Sequence, residues 1–166
     1  MSPLDTNAVC LRAETNADRG FLLNLYISTR DKELLDTGWT QKQIRSFLLQ
    51  QFEAQFGSYH SQYPLANFDI IEYQGKRIGR LYLDKGKHDY RLIDISLLPE
   101  YQNRGIGHYL LQSLLQQASD DALPVSLHVE RNNPARALYE RLGFRVQKNL
   151  GVYLLMRWIS EKDNPD

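Results

Sequence analysis

The hydrophobic pattern predicts alternating strands and helices, and its clearest part lies in the middle of the chain. Residues 92–98 form a nearly continuous apolar run that ends at Pro99, as expected for a buried strand. From Leu110 onward, apolar residues recur at helical spacing with glutamines on the opposite side, which predicts an amphipathic helix. Residues 102–107, which contain Gly105 and Gly107, therefore occupy a strand-to-helix turn.

Further strands and helices surround this central unit. Alternating or apolar runs predict strands at residues 8–13, 68–73, 77–84 and 125–130, with a closing pair at 144–147 and 152–159. Helical spacing predicts one helix after residues 15–18 and another capped by Thr40, and a last helix that starts at Asn133-Pro134 and ends at Gly143. These elements predict a mixed α/β sheet covered by helices.

One face of the helix after Thr40 carries Gln51, Gln55 and Tyr59, which lie four residues apart beside the apolar stripe. The pattern fits the polar edge of an amphipathic helix. It also fits a hydrogen-bonding wall for a polar substrate, to which Trp39 would add aromatic surface. The sequence leaves both interpretations open.

Length and charge limit the classes of partner. With 166 residues, we expect a single domain at residues 1–160 and a polar tail at residues 161–166. Lysine plus arginine and aspartate plus glutamate both number 20, so the net charge of zero argues against a general attraction to nucleic acid or an anionic membrane. The longest apolar runs are too short to span a bilayer, and the N-terminus lacks the pattern of a secretion signal. We therefore expect a cytoplasmic protein.

The cysteine and the histidines indicate neither a disulfide nor a metal centre. Cys10 is the single cysteine of the sequence, and its position in an alternating apolar run predicts a buried structural thiol. No cysteine stands at metal-binding spacing from a histidine, so we expect no metal site; the histidines are His60, His88, His108 and His128.

The turn at residues 102–107 can bind an anion through its main chain. Glycine lets N–H groups face a ligand without a Cβ in the way, and a helix N-terminus adds unpaired donors and partial positive charge. Arg104 adds a full positive charge at the same place. The turn lacks the Gly-Lys-Ser/Thr of nucleotide-hydrolase loops and the third glycine of a dinucleotide loop. A tight strand–helix connection without a ligand would use the same glycines.

Two segments resemble the signatures of one enzyme family. Gln102-Asn103-Arg104-Gly105-Ile106-Gly107 resembles the coenzyme A pyrophosphate loop of the GNAT superfamily of N-acetyltransferases, Q/R-x-x-G-x-G/A, with every defined position filled. Residues 133–144, which include Leu138-Tyr139-Glu140 and Gly143-Phe144, resemble the second signature of that family. The predicted order of elements also resembles the GNAT fold. This resemblance implies a mixed, mostly antiparallel central sheet flanked by helices, with a splayed central strand pair.

The resemblance implies direct acetyl transfer from acetyl-CoA to a primary amine, without a covalent enzyme intermediate or a metal. It implies that Tyr139 is the general acid and that the Leu97 amide is the best donor to the oxyanion. The pantetheine arm would be held by Asn132, which has the family spacing to the tyrosine, or by Asn133, which has the helix-capping position. The cofactor-binding residues implied in this way are Ile95, Ser96, Leu97, Gln102, Asn103, Arg104, Gly105, Ile106, Gly107, His108, and either Asn132 or Asn133.

The general base is the open part of this assignment. Some relatives place a glutamate at the position that Leu127 occupies here. Asp94 on the central strand is our first choice, with Glu72, Glu130, His128 or a water relay as alternatives. An acidic residue in an apolar strand fits a structural pairing with an arginine equally well.

Two other function classes use the same features. A non-catalytic acyl-CoA-binding or sensing domain would keep the loop, whereas an interaction domain would have lost cofactor binding. For the enzyme, the acceptor could be a small amine, an amino acid, an antibiotic or a protein N-terminus, and residues 31–63 would decide among them. A monomer and a homodimer are both compatible with the apolar segment at residues 152–159.

Overall fold

The structure is a computed structural model that describes residues 2–161, so residues 162–166 of the predicted polar tail lie outside the described residues. Short 3-10 helices cover Thr6–Ala8, Asn16–Asp18, Asp31–Thr37 and Pro99–Tyr101. The main elements in chain order are β1 Val9–Ala13, α1 Arg19–Arg30, α2 Gln41–Gln62, β2 Asn67–Tyr73, β3 Lys76–Lys85, β4 Tyr90–Leu97, α3 Ile106–Asp120, β5 Val125–Glu130, α4 Ala135–Arg141, β6 Arg145–Asn149 and β7 Tyr153–Trp158.

The strands form one sheet in the order β1-β2-β3-β4-β5-β7-β6. Neighbouring strands are antiparallel except β4 and β5, which are parallel and are connected through α3. A parallel pair needs such a crossover, because the chain must return to the same end of the sheet. The predicted mixed and mostly antiparallel sheet flanked by helices is confirmed.

Each face of the sheet is covered by its own apolar core. One core packs α3 and α4 against the sheet, and the predicted stripe on α3 is buried from Leu110 to Ala118. The other core packs α1 and α2 on the opposite face around Leu22, Leu48 and Phe52. Side chains alternate between the two faces along each strand, so β3 and β4 contribute to both layers.

The helix starts follow the capping chemistry that the sequence predicts. The Thr40 hydroxyl accepts a hydrogen bond from the N–H of Gln43 over 3.1 Å, and the Gln43 side chain reaches back to the N–H of Thr40. Asn133 accepts from the N–H of Ala135 over 2.9 Å, and Gly143 ends the last helix with a φ of 105°. The reciprocal Thr40–Gln43 pair and the single Asn133–Ala135 bond satisfy N–H groups that a helix start leaves unpaired.

Cys10 is exposed, so the prediction of a buried thiol is wrong. β1 is an edge strand of the sheet, and it has exposed residues on both faces: Cys10 on one, and Leu11 and Ala13 on the other. The Cys10 sulfur lies 3.8 Å from a carboxylate oxygen of Glu72 on the neighbouring strand. An alternating pattern identifies a strand, but it does not tell which of the two faces a helix covers.

The apolar run at residues 92–98 is only partly buried. Leu92 is 3% exposed, whereas Ile93, Ile95, Leu97 and Leu98 are half-buried. The physical reason is the divergence of β5 from β4, described below. No helix in residues 2–161 is long and apolar enough to cross a membrane. The same residues hold no cluster of three or more histidine, cysteine or acidic side chains suited to a metal.

Candidate functional site

The centre of the sheet opens between β4 and β5. The two strands pair at three positions, which end at Leu92 opposite Leu127, although β4 continues to Leu97. A register irregularity in the β3–β4 ladder accompanies this separation. Beyond Leu92 the strands diverge and leave a gap, which is the splayed strand pair that the resemblance implies.

The second half of β4 presents main-chain groups to this gap. Leu98 donates its N–H to the carbonyl of Ile78 on β3 over 2.8 Å. The direction of main-chain groups alternates along an antiparallel ladder. The N–H groups of Ile95 and Leu97 therefore point away from β3 into the gap, whereas that of Ser96 faces β3. Two N–H donors without a partner in residues 2–161 thus lie two residues apart on the edge of β4 that faces the gap.

The turn after β4 exposes a row of main-chain donors. Asn103, with a φ of 57°, and Gly105, with a φ of 91°, adopt the left-handed conformation, and Gly105 is the N-cap of α3. Within residues 2–161, no N–H group from Asn103 to His108 donates a hydrogen bond. These donors gather at a helix N-terminus, where the helix dipole also favours negative charge. The turn therefore fits the pyrophosphate of coenzyme A.

Two side chains of this turn bind the protein's own main chain. Gln102 donates its side-chain amide to the Leu97 carbonyl over 2.9 Å and so ties the turn to the end of β4. Arg104 donates to the carbonyls of Ser2 and Glu100, each over 3.1 Å. The guanidinium thus anchors the N-terminal segment, while its positive charge stays beside the exposed N–H groups.

Tyr139 on α4 lies in the core at 8% exposure and packs edge-on against Phe144, with ring centroids 5.7 Å apart. Its hydroxyl makes no hydrogen bond within the described part of the chain, yet it is not among the fully buried unpaired atoms. Burial, and then the negative charge of Asp94, raise the pKa of Tyr139. The phenol is therefore protonated at neutral pH and is able to donate a proton.

Asp94 lies in a polar cluster on the α2 face of β3 and β4. Its Oδ2 accepts from Nε of Arg80 over 2.7 Å and from the hydroxyl of Ser96 over 2.8 Å. Arg80, at 3% exposure, also donates through Nη2 to Oε1 of Gln55 on α2 over 2.8 Å. Burial is the largest single influence on Arg80 and lowers its pKa, but the charge and hydrogen bond of Asp94, together with Tyr82 and Tyr59, raise the pKa of the guanidinium overall. The pairing of Asp94 with an arginine, which the sequence left open, is present.

Some polar atoms of this region are buried without a partner among residues 2–161, namely Oε1 of Glu14, Nη1 of Arg80 and the Tyr82 hydroxyl. Oδ1 of Asp94 and Nε2 of Gln55 also make no hydrogen bond there, but they are not in this buried set. Both atoms are therefore accessible to solvent. Each is open to a ligand.

The other base candidates lie apart from this cluster or are engaged elsewhere. Glu72 on β2 accepts from Arg12 over 3.0 Å. His128 is exposed with Nδ1 2.8 Å from Nη1 of Arg91, and burial followed by the charge of Arg91 lowers its pKa. Leu127 is 1% exposed in the core, so the position of the glutamate of some relatives is filled by packing.

Asn132 and Asn133 line an open cleft of about 340 Å³ at the start of α4. Asn133 accepts from the N–H of Ala135 over 2.9 Å, so its carbonyl caps the helix. The Asn132 side chain makes no hydrogen bond in the described range, which leaves both its donors and its acceptor available.

Sequence reasoning missed the two residues that organise the Asp94 cluster, Arg80 and Gly79. An arginine between Ile78 and Leu81 in an apolar strand was the available signal for a partner of Asp94. Gly79 allows β3 to approach β4, since an added Cβ would lie 2.2 Å from the Ser96 carbonyl oxygen. Only the paired strands show that contact.

Comparison with known proteins gives a family match over most of the chain. The sequence model of the acetyltransferase (GNAT) family matches residues 26–144. A Bacillus subtilis protein with the provisional name ribosomal protein bS18-alanine N-acetyltransferase is 28% identical over 106 residues, which are 58% of this chain and 70% of that protein. The ribosomal protein bS18-alanine N-acetyltransferase of Haemophilus influenzae is 39% identical over 62 residues, which are 35% of this chain and 42% of that protein.

The fold is also found in solved structures. The PaiA N-acetyltransferase of Thermoplasma acidophilum, solved in complex with coenzyme A, superposes with a TM-score of 0.69 and 20% identity. The superposition covers 92% of this chain and 99% of that protein.

Proposed function

Because the chain belongs to the acetyltransferase (GNAT) family and is an acetyl-CoA-dependent N-acetyltransferase, we propose that it acetylates the N-terminal α-amine of a protein or peptide. The names of both sequence relatives give an alanine of a ribosomal protein as the acceptor. Alanine has no side-chain amine, so its only amine in a protein is the one at the N-terminus. The observation that supports the proposal is the divergence of β5 from β4 beyond Leu92, with Tyr139 close enough to β4 for the charge of Asp94 to raise its pKa.

The exposed turn would hold the pyrophosphate of acetyl-CoA, which supplies an acetyl group activated as a thioester. The N–H groups from Asn103 to His108 are the donors, and Arg104 adds charge beside them. For the pantetheine arm, Asn132 is the better candidate, because the carbonyl of Asn133 is already used by the helix cap.

The N–H groups of Ile95 and Leu97 would stabilise the negative charge that develops on the acetyl oxygen. Such donors are effective because they are fixed before the reaction and need no reorganisation. Tyr139 would then donate its proton to the departing thiolate, since burial keeps its hydroxyl protonated. Ile95 and Leu97 belong to β4, and Tyr139 belongs to the buried face of α4.

Asp94 would receive the acceptor amine. Its Oδ2 is occupied by Arg80 and Ser96, so Oδ1 is the atom that can face an incoming ammonium group. The Arg80 guanidinium and the Ser96 hydroxyl fix the orientation of the carboxylate, so its free oxygen is held in place for the amine. We therefore propose that Asp94 positions the amine and that water carries its proton away.

We also propose that one domain, over residues 1–160, contains the complete site, in a monomer or a homodimer. A protein acceptor on the ribosome would place this enzyme in the cytoplasm, the location expected from the absence of a long apolar run and of a secretion-signal pattern.

A thiol-release assay with acetyl-CoA tests the proposed acceptor. The substrate is a short peptide that begins with alanine and contains one lysine, and the control is the same peptide with a blocked N-terminus. We expect thiol release with the free peptide alone, and mass spectrometry of the product should place the acetyl group on the α-amine. Acetylation of the lysine in both peptides would contradict the proposal.

A thermal-shift titration with acetyl-CoA distinguishes an enzyme from a domain that binds acyl-CoA without catalysis. A ligand that prefers the folded state raises the unfolding midpoint. A shift without thiol release, over the peptide and a panel of small amines, would favour the alternative of a non-catalytic acyl-CoA-binding or sensing domain.

A further inference from the structure

We infer that Gln55 recognises the carbonyl oxygen next to the acceptor's α-amine, and that Arg80 positions both Gln55 and Asp94 for this purpose. The inference rests on the proposed function and names the feature of the acceptor that the site selects. Of the two interpretations that the sequence left open for Gln55, the polar edge of a helix and a wall for the substrate, it selects the second.

The buried guanidinium of Arg80 joins the two groups. Its Nε and Nη2 lie on one edge of a rigid planar group, and they bind Asp94 Oδ2 at 2.7 Å and Gln55 Oε1 at 2.8 Å. The planar geometry of arginine therefore holds the aspartate and the glutamine side by side. Packing of the arginine over the ring of Tyr82, 4.7 Å from the ring centroid, holds the guanidinium in place.

The chemistry of arginine settles the orientation of the Gln55 amide. A guanidinium only donates hydrogen bonds, so the atom of Gln55 that faces Arg80 must be its carbonyl oxygen. The Nε2 group then points away from Arg80, where it meets no acceptor within residues 2–161 and is not fully buried. A half-buried amide with an unused N–H₂ group is matched by a carbonyl oxygen.

Asp94 offers a free acceptor, whereas Gln55 offers a free donor. Its Oδ1 accepts no hydrogen bond from the described residues and keeps contact with the surface. The site thus offers a carboxylate oxygen for an ammonium group and, beside it, an amide donor for a carbonyl. An α-amine followed by a peptide carbonyl presents these two partners on neighbouring carbons, whereas a lysine side chain or an alkyl amine lacks the carbonyl.

The next turn of α2 extends the same wall. Gln51 accepts from the Tyr26 hydroxyl through Oε1 over 3.4 Å, and its Nε2 also has no partner in the described range. Residues four apart on a helix are separated by about 6 Å, which is close to the roughly 6.7 Å between alternate carbonyls of an extended chain. An extended acceptor can therefore meet Gln55 with its first carbonyl and Gln51 with its third.

The test compares two acceptors that differ only at their first peptide bond. The first is a short peptide that begins with alanine. The second has the same sequence, but an (E)-alkene replaces its first peptide bond, so the shape is kept while the carbonyl and the amide N–H are lost; only the carbonyl can accept from Gln55. We expect the wild-type enzyme to have kcat/KM at least about tenfold lower for the alkene peptide, the loss typical of a missing hydrogen bond in a site built for it.

The decisive variant is Gln55→Glu. A glutamate keeps an oxygen for Arg80, so the fold and the Asp94 contact are retained, but the donor to the substrate is replaced by an acceptor. We expect kcat/KM for the normal peptide to fall about tenfold relative to wild type, while the alkene peptide loses less than twofold. Each acceptor is compared with itself across the two enzymes, so differences in amine basicity cancel. Gln50→Glu, at an exposed position on the same helix, is the matched control and should change neither value.

Equal losses for both acceptors, or no loss for either, would overturn the role of Gln55. If Gln55→Glu fails to fold, the wild-type comparison decides alone, and equal kcat/KM for the two peptides then refutes the inference. If the enzyme acetylates small amines but neither peptide, the proposed acceptor itself is wrong and the inference falls with it.

Discussion

β3 and β4 approach each other closely at Gly79, beside the donor that we assign to the oxyanion. A Cβ at Gly79 would lie 2.2 Å from the Ser96 carbonyl oxygen and 2.9 Å from Cδ2 of Leu97. Ordinary contacts are about 3.4 Å, so Gly79→Ala requires a local displacement of about 1 Å. The Ser96 carbonyl and the Leu97 N–H belong to one peptide unit. The displacement therefore turns the Leu97 donor away from its position in the gap.

The expected losses can be ranked from this geometry. Overpacking of a core costs about 1–3 kcal/mol, which for a chain of this size lowers the melting temperature by roughly 2–12 °C. A catalytic donor misplaced by about 1 Å costs about a hundredfold in kcat. The N–H groups of the turn at residues 103–108 are untouched, so the Kd for acetyl-CoA should change less than threefold.

Thiol release with saturating acetyl-CoA measures kcat, and calorimetric titration measures the Kd. Gly57→Ala is the matched control, because Gly57 lies within α2 and an added Cβ there meets nothing within 4 Å. That variant should keep wild-type kcat and be slightly more stable, since alanine favours a helix. A Gly79→Ala enzyme that is less stable but keeps kcat within threefold would show that the Leu97 peptide is not the oxyanion donor.

Further predictions concern the acid, the turn and a buried carboxylate. Tyr139→Phe should lower kcat about a hundredfold with the acetyl-CoA Kd unchanged, as measured by the same two assays; unchanged kcat would exclude Tyr139 as the acid. Gly105→Ala has space for its Cβ but must keep a φ of 91°, so we expect about 1–2 kcal/mol of strain and at least tenfold weaker acetyl-CoA binding by calorimetry. The pKa of Asp18 is held well below its ordinary value, mainly by Arg12. Its contribution to the free energy of unfolding is therefore full above about pH 4 and is lost as pH falls below that value. The free energy of unfolding in urea should consequently change less with pH in the acid range for Asp18→Asn than for the wild type.

The parts of the site that depend on local sequence could be predicted. The strand-to-helix turn at residues 102–107, the α3 stripe and the Asn133 cap each follow from a few neighbouring residues. The main-chain chemistry of the turn is likewise local, because a glycine-containing segment between a strand and a helix determines where its N–H groups point.

The parts that depend on pairing across the sheet could not be predicted. Asp94 lies opposite Tyr82, and Arg80 lies opposite Ser96, because of a strand register that no local pattern encodes. The helical pattern around Gln55 fits a polar edge and a substrate wall equally well, because the contact between Gln55 and Arg80 is not encoded in either local sequence. The exposure of Cys10 has this cause too, since the strand order leaves β1 at the edge.

Stability alone does not account for the arrangement around Arg80. A buried ion pair is often no more stabilising than apolar side chains of similar volume, because both charges lose their hydration. Arg80 in addition leaves Nη1 buried without a partner in residues 2–161, which costs further free energy. What the guanidinium does provide is geometry, since one rigid edge orients Asp94 on β4 and Gln55 on α2 at the same time. A substrate site needs two such groups held in fixed relation across two elements, and this requirement gives the buried charge a physical reason.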